Sequence, residues 1–258
     1  MGVRPPLSLI GLSFGLAALA GCDSTRGHTD AAFSADGRTI AMSGGAGGAA
    51  NACFTCHGLQ GQGDGVSAPR LAGLDVGYLQ KQMEDYASGL RPDDQMTRIA
   101  KALNQTDRRA VAAWYAGLPA SPPNTPPSDA PPAPTPDVYL TGDPSRGIVA
   151  CAACHGANGE GAGRGGNPPI AGQPAAYTLE QIDRWKSGER RNDPRGVMAA
   201  AVRSLSDPEA RAIALWLSTR PAAQAPASAA ASESASVDAA ARPAASRETR
   251  RPDRSDGA

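Results

Sequence analysis

Aromatic side chains are scarce in this 258-residue chain, because Phe, Tyr and Trp together make up only 4% of it. These side chains usually supply much of the buried area of a core, so a single large domain would be difficult to pack from this composition. Net charge is also absent, since 25 Lys and Arg residues balance 25 Asp and Glu residues. No field of one sign would attract nucleic acid, and we expect no nucleic-acid partner. Small domains built around a bulky apolar cofactor fit this composition better.

Long apolar runs are confined to the N-terminus. The stretch from Leu7 to Ala20 is too short for a membrane-spanning helix of about 20 residues, but it has the length of a signal-peptide core. It ends in Leu-Ala-Gly-Cys, which resembles a bacterial lipobox with Cys22 as the lipidated residue. A plain signal peptide with a coincidental cysteine is the alternative. We expect residues 1–21 to be a lipoprotein signal peptide and the mature protein to be anchored by lipid at the periplasmic face of the inner membrane.

Low-complexity segments divide the rest of the chain. Residues 22–44 are rich in small and polar side chains and are predicted to be a flexible tether. Residues 120–137 carry prolines too closely spaced for a helix and are predicted to be a semi-stiff linker. Residues 221–258 lack apolar periodicity and are predicted to be a disordered tail. The two remaining blocks, 45–119 and 138–220, are the predicted domains.

The two blocks repeat one another. A Cys-x-x-Cys-His motif occupies residues 53–57 and recurs 98 residues later, at residues 151–155. Further matches follow at offsets of 99 to 102, pairing Tyr78 with Tyr177, Gly89 with Gly188, Arg91 with Arg190, Met96 with Met198, and Trp114 with Trp216. Small insertions in loops account for the drift in offset. The sequence therefore predicts two copies of one domain.

Both copies are predicted to be helical. Apolar residues recur at helical spacing over residues 78–88, and a further helix is predicted over residues 107–116 with Thr106 as its N-cap. Ser206 is predicted to cap the corresponding helix of the second copy, with Glu209 in its first turn. Neither copy shows the alternating pattern of a β-strand. The predicted fold class is therefore all-α.

Cys-x-x-Cys-His is the attachment motif of c-type haem. Residues three apart lie on one face of a helix, so both thiols of a motif can bond the two vinyl groups on one haem edge. The histidine that follows then reaches the iron. Disulfides would leave two of only three histidines unexplained, and zinc would find three of its usual four ligands in each motif. Two haem c groups are predicted, attached at Cys53, Cys56, Cys151 and Cys154.

Methionine is the candidate for the second axial ligand of each iron. Met198 is the one methionine after the second haem motif, so a methionine ligand of the second haem must be Met198. In the first domain Met42, Met83 and Met96 compete, and Met96 is the one that aligns with Met198. A packing role for both methionines is the alternative. The predicted iron ligands are His57 and Met96 in the first domain, and His155 and Met198 in the second.

Together these features resemble the dihaem class I cytochromes c of the tandem, c-four type. The resemblance covers about residues 45–119 and 138–220, and it includes the Pro-x-Leu/Ile-Ala-Gly stretches and a closing helix with an aromatic residue. It implies two tandem all-α domains with one haem each. It also implies that the carbonyls of Pro69 and Pro168 accept a hydrogen bond from the ligating histidines; an ordinary turn proline is the alternative.

An iron with both axial positions filled offers no site to a substrate. The resemblance therefore implies a one-electron carrier rather than an enzyme, working between redox partners such as a quinol-oxidising complex and a terminal oxidase or reductase. The alternatives are the electron-accepting haem subunit of a membrane-associated dehydrogenase and, less simply, a dihaem peroxidase-type enzyme. Arg91 and Arg190 could face a haem propionate or a partner, although a solvated surface position is the simpler prediction for each.

Overall fold

The computed structural model describes residues 36–120, 134–161, 167–193 and 195–224. The predicted signal peptide, Cys22 and most of the predicted tether, linker and tail lie outside these residues. Within the described ranges, no helix is both long enough and apolar enough to cross a bilayer.

The described part of the first domain is a small helical bundle. Its helices are α1 (Gly37–Ser43), α2 (Phe54–His57), α3 (Val76–Ser88), α4 (Asp94–Ala102) and α5 (Gln105–Gly117), with short 3₁₀ turns at Gly45–Gly47 and Ala49–Asn51. Helix α5 packs against α1 and α3, and α3 packs against α4. The buried core comprises Ile40, Ala41, Leu74, Leu79, Leu103, Val111, Ala112 and Tyr115.

Helix α1 corrects the predicted domain boundary. It lies in the segment assigned to the tether, yet Ile40 and Ala41 on it are buried in the core, so the first domain begins before residue 45. The helix has seven residues and starts at a glycine, which leaves little apolar periodicity to detect. Gly37 is required by close packing, because a Cβ there would lie 2.1 Å from the carbonyl oxygen of Ala110 on α5.

The start of helix α5 also differs from the prediction. Its N-cap is Asn104 rather than Thr106, and the Asn104 side chain accepts a hydrogen bond from the Asp107 N–H at 2.9 Å. Asn is at least as strong a cap as Thr, and it begins the helix two residues earlier.

The described part of the second domain repeats this arrangement. Its helices are α6 (Asp137–Thr141), α7 (Ala152–His155), α8 (Ala175–Lys186), α9 (Val197–Arg203) and α10 (Asp207–Ser218), with a 3₁₀ turn at Pro144–Arg146. Helix α8 packs against α9 and α10. Ser206 caps α10, as predicted, and the structure adds a reciprocal capping box with Glu209. Among the described residues the only β-pairing is one isolated bridge between Asp143 and Ile148, so the all-α prediction is confirmed.

Candidate functional site

Each Cys-x-x-Cys-His motif forms a single helical turn. The backbone N–H of His57 donates to the Cys53 carbonyl at 2.9 Å, and that of His155 donates to Cys151 at the same distance. The turn places the two thiols of each motif on one face, as their spacing predicts. Gly58 ends the first turn with φ of 78°, a conformation that favours glycine, and so frees the chain to leave the motif sharply.

The structure does not support the two alternative uses of these cysteines. The thiols of both motifs are free rather than joined in disulfides. In the part of the chain that the structure describes, no group of three or more His, Cys, Asp and Glu side chains is placed to hold a metal ion. Neither a disulfide framework nor a zinc centre is therefore formed by the described residues.

Both motif histidines are buried and oriented by a proline carbonyl. Nδ1 of His57 lies 2.9 Å from the carbonyl oxygen of Pro69, and Nδ1 of His155 lies 2.9 Å from that of Pro168. Because a carbonyl oxygen can only accept, Nδ1 carries the proton and Nε2 keeps its lone pair. Burial lowers the pKa of both imidazoles, since desolvation disfavours the charged form. Each ring is thus held as the neutral tautomer that can bind a metal ion through Nε2.

A cavity of about 350 Å³ lies beside the first motif. This volume is within the range of cofactor sites, about 300–1,000 Å³. Cys53, Thr55, Cys56 and His57 line the cavity together with Met83 and Met96. Met42, on helix α1, packs against the core instead. Position alone therefore leaves Met83 and Met96 as candidate ligands, and the match with Met198 in the repeat favours Met96.

Aspartate side chains hold both candidate methionines at the start of a helix. The N–H of Met96, in the first turn of α4, donates to Asp93 at 2.8 Å. The N–H of Met198, in the first turn of α9, donates to Asp193. Met198 itself packs against the core of the second domain, as does Cys151. Sequence reasoning missed the two aspartates, although each precedes its methionine by a few residues.

The two domains meet through a buried ring of matched polar side chains, here called the Arg–Gln ring. Gln82 and Gln181, like Arg91 and Arg190, are equivalent at an offset of 99. Arg91 donates to the side-chain oxygens of Gln82 and Gln181, at 2.8 Å each. Arg190 donates to the same two oxygens, at 2.9 Å to Gln181 and 3.2 Å to Gln82. Each guanidinium therefore bridges both domains, and the ring has approximate two-fold symmetry.

Aromatic rings cover the Arg–Gln ring with the same symmetry. The guanidinium of Arg91 lies 4.7 Å from the ring centroid of Tyr86, and that of Arg190 lies 4.5 Å from Trp185. Arg91 is 4% exposed and Arg190 is 8% exposed, so the prediction of solvated surface side chains was wrong. The error came from treating each domain alone, because the partner that these arginines contact is the other domain.

One ion pair on each side flanks the Arg–Gln ring. The two pairs occupy equivalent positions, but the cation and the anion have changed places between the domains. On α3, Lys81 pairs with Asp85 and also donates to the Asn192 carbonyl of the second domain at 2.8 Å. On α8, Glu180 pairs with Arg184, which donates to a carbonyl of the first domain at 2.6 Å. Both edges of the interface are therefore closed by a cation that reaches across it.

Buried positive charge at the interface has no carboxylate counterpart. Arg70 is fully buried, its Nε has no hydrogen-bond partner, and burial lowers its pKa to about 10. None of the ion pairs among the described residues includes Arg70, Arg91 or Arg190. Buried charges require compensation, and a haem brings two propionates. Arg70 and Arg91 line the cavity beside the first motif, so the residues present fit a haem.

Comparison with known proteins agrees with this geometry. The sequence model of the cytochrome c family matches residues 42–118 and 147–221. The chain is 42% identical over 187 residues to a thiosulfate dehydrogenase electron acceptor from Stutzerimonas stutzeri (strain A1501), an alignment that covers 71% of this chain and 85% of the relative.

Two solved structures resemble the chain. One is a thiosulfate dehydrogenase from Marichromatium purpuratum, with a TM-score of 0.63 and 41% identity over 72% of this chain; the chain spans 40% of that longer protein. The other is reduced cytochrome c4 from Pseudomonas stutzeri, with a TM-score of 0.59 and 28% identity over 68% of this chain and 96% of that one. The predictions of tandem cytochrome c domains and of two haem c groups are confirmed.

Proposed function

Since this chain belongs to the cytochrome c family, we propose that it accepts electrons from a thiosulfate-oxidising dehydrogenase and passes them on one at a time. Its relatives are electron-transfer cytochromes, and one of them is named as the electron acceptor of thiosulfate dehydrogenase. Each bound haem supplies an iron that gains and releases a single electron. Oxidation of a closed-shell sulfur compound removes electrons in pairs, so a chain with two such sites can take up one pair.

The proposed iron ligands are His57 and Met96 in the first domain, and His155 and Met198 in the second. The observation that carries the proposal is the 2.9 Å contact between histidine Nδ1 and a proline carbonyl in both domains. Pro69 and Pro168 fix the orientation and tautomer of the rings, which leaves Nε2 available to the iron. If a histidine and a methionine of the chain held each iron, no coordination position would be left for a substrate, which supports a carrier rather than an enzyme.

The remaining steps of the electron path are proposed from the sequence. The relay would lie on the periplasmic side, anchored at the inner membrane by lipid on Cys22, and deliver electrons to a terminal oxidase or reductase. Cys22 lies outside the described residues, so the support is the short apolar segment and its Leu-Ala-Gly-Cys end. An anchor would keep the carrier near membrane partners by raising its local concentration. Cys22→Ser should release the protein from membranes into the soluble fraction.

Rapid mixing tests the proposed donor directly. The oxidised holoprotein is mixed with thiosulfate and a catalytic amount of a thiosulfate dehydrogenase, and haem absorbance is followed. We expect reduction of two haems per chain, at a rate proportional to the amount of dehydrogenase. The controls are a mixture without dehydrogenase, a mixture without thiosulfate and a mixture with an unrelated single-haem cytochrome. Reduction no faster than in the mixture without dehydrogenase would reject this donor, and a quinol-oxidising complex would then be assayed as the donor instead.

A further inference from the structure

Arg70 occupies a position that the repeat does not duplicate. Its guanidinium donates from Nη1 to the carbonyl of Ala72 and from Nη2 to the carbonyl of Ala171 at 3.3 Å. These two alanines are equivalent at an offset of 99, so the guanidinium lies on the approximate two-fold axis that relates the domains. The residue equivalent to Arg70 in the second domain is Pro169, which has neither charge nor donor. One arginine of the first domain therefore contacts matched backbone groups in both.

The backbone of Arg70 is also held across the interface. The side chain of Gln173 accepts the Arg70 N–H and donates to the Arg70 carbonyl, at 3.0 Å in both cases. Gln173 is buried, and the equivalent residue of the first domain is Leu74, which cannot make such a pair. We call the group formed by Arg70, Ala72, Ala171 and Gln173 the Arg70 clasp.

The Arg70 clasp joins the two loops that orient the candidate iron ligands. Arg70 directly follows Pro69, whose carbonyl contacts His57. Ala171 follows Pro168, whose carbonyl contacts His155, by three residues. Because Arg70 is fully buried and forms no ion pair with the described residues, its charge is poorly screened by solvent and acts on its surroundings through a low dielectric.

We propose that Arg70 is a positioning residue shared by both haem sites. Its charge raises the reduction potentials of both haems, and its hydrogen bonds hold the two ligand-orienting loops in register. A nearby fixed positive charge stabilises the reduced centre, which carries one more electron. Since the charge lies on the axis between the domains, it acts on both centres to a similar extent. This inference rests on the proposed function for the axial ligands, but it does not depend on the identity of the electron donor.

Redox titration of the holoprotein with chemical mediators tests the shared charge. Arg70→Gln removes the charge, and we expect both midpoint potentials to fall by similar amounts while haem content and the iron–methionine absorption stay unchanged. Arg109→Gln, which removes an exposed charge of the same domain, should move neither potential. A shift confined to one potential, or no shift, would overturn the inference. The donor plays no part in this titration, so failure of the proposed donor is recognised separately.

Arg70→Lys keeps the charge but cannot reach both carbonyls as a rigid fork. We expect it to retain both potentials near the wild-type values, whereas a purely structural role would make the Lys and Gln variants equally different from wild type. Should Arg70→Gln fail to retain both haems, Arg70→Lys decides alone: small matched shifts support the shared charge, and a shift of one potential contradicts it.

Gln173→Leu removes the two hydrogen bonds that hold the Arg70 backbone and leaves the Arg70 charge in place. Leucine is the residue that the first domain carries at the equivalent position, Leu74. We expect slower electron exchange between the haems after partial reduction by a radiolytic pulse, with the two potentials retained. Exchange at the wild-type rate would contradict the role of the clasp in holding the loops in register.

Discussion

The bulk of the core beside each haem motif comes from different helices in the two domains. In the first domain it comes from α5, where Tyr115 is buried, and the α1 residue in the same core cluster is the small Ala41. In the second domain the sizes are reversed, with Leu217 on α10 and Tyr139 on α6. The histidine–proline contacts are nevertheless 2.9 Å in both. The loops that carry Pro69 and Pro168 thus keep the same contact, although the bulky core side chain comes from a different helix in each domain.

The tryptophans at equivalent positions of helices α5 and α10 differ in how deeply they are buried. Trp216 is 1% exposed and lies 4.7 Å from Tyr139, ring to ring, whereas Trp114 is only half-buried and lies 4.5 Å from Tyr115. Trp216 is therefore a core residue of its domain, and Trp114 covers the edge of its own. Equivalence in sequence fixes which helix carries the ring but not how deeply it is buried.

The largest expected effect tests whether the domains use the same ligand chemistry. Met96→Ala and Met198→Ala should each remove about half of the weak far-red absorption that an iron–methionine bond gives in the oxidised protein. Absorption spectra of the purified oxidised variants measure this loss. Met83→Leu is the matched control and should leave the absorption intact. Retention of the full absorption in either alanine variant, or its loss in Met83→Leu, would refute the ligand assignment.

An effect of intermediate size tests whether side-chain volume can be moved from α5 to α1 in the first domain. Tyr115→Leu alone should destabilise the first domain by about 1–3 kcal/mol because it leaves a void, and Ala41→Tyr alone should cost a similar amount through overpacking. The double variant copies the second domain at these two positions. We expect it to recover much of the loss, since both side chains belong to one core cluster and their volumes can compensate. Denaturant unfolding, with hydrogen exchange of α5 to localise the change, measures it. Strict additivity of the two single effects would show that the domains pack by unrelated rules.

The smallest effect concerns an ion pair that one domain lacks. In the second domain Arg146 donates to both carboxylate oxygens of Glu209, at 3.0 and 2.6 Å, whereas the equivalent of Arg146 in the first domain is Gly48. The Arg146 contact, together with the hydrogen bonds from Ser206, lowers the pKa of Glu209 from 4.5 to about 2. Because the folded-state pKa is the lower one, the stabilisation is complete above about pH 4.5 and is lost as the pH falls towards 2.

We therefore expect the unfolding temperature of the second domain to fall more steeply between pH 4.5 and 2 than that of an Arg146→Gln variant. Arg146 is exposed and Glu209 is half-buried, so solvent screens the pair and the difference is small. Arg211→Gln, an exposed charge on the same helix, is the control and should keep the wild-type pH dependence. Identical slopes for wild type and Arg146→Gln would show that the pair does not stabilise this domain.

The two haem-attachment motifs could be predicted from sequence because their chemistry is local. Cys53, Cys56 and His57 lie within one helical turn, and the second copy of the motif confirms the reading by repetition. The interface could not be predicted in this way. Gln82 and Gln181 match at an offset of 99. Their role depends on the contact between the domains, because the side-chain oxygen of each glutamine accepts from one arginine of the first domain and one of the second. Helix α1 was missed for a different reason, because its burial depends on contact with α5.

The Arg–Gln ring has a mechanical consequence. Each guanidinium donates to acceptors in both domains, so separating the domains would break hydrogen bonds of both cations at once. A hinge that opened partway would leave two desolvated charges facing each other, which makes intermediate openings unfavourable. The Arg–Gln ring therefore favours one separation between the two haem motifs, whatever the length of the chain that joins the domains.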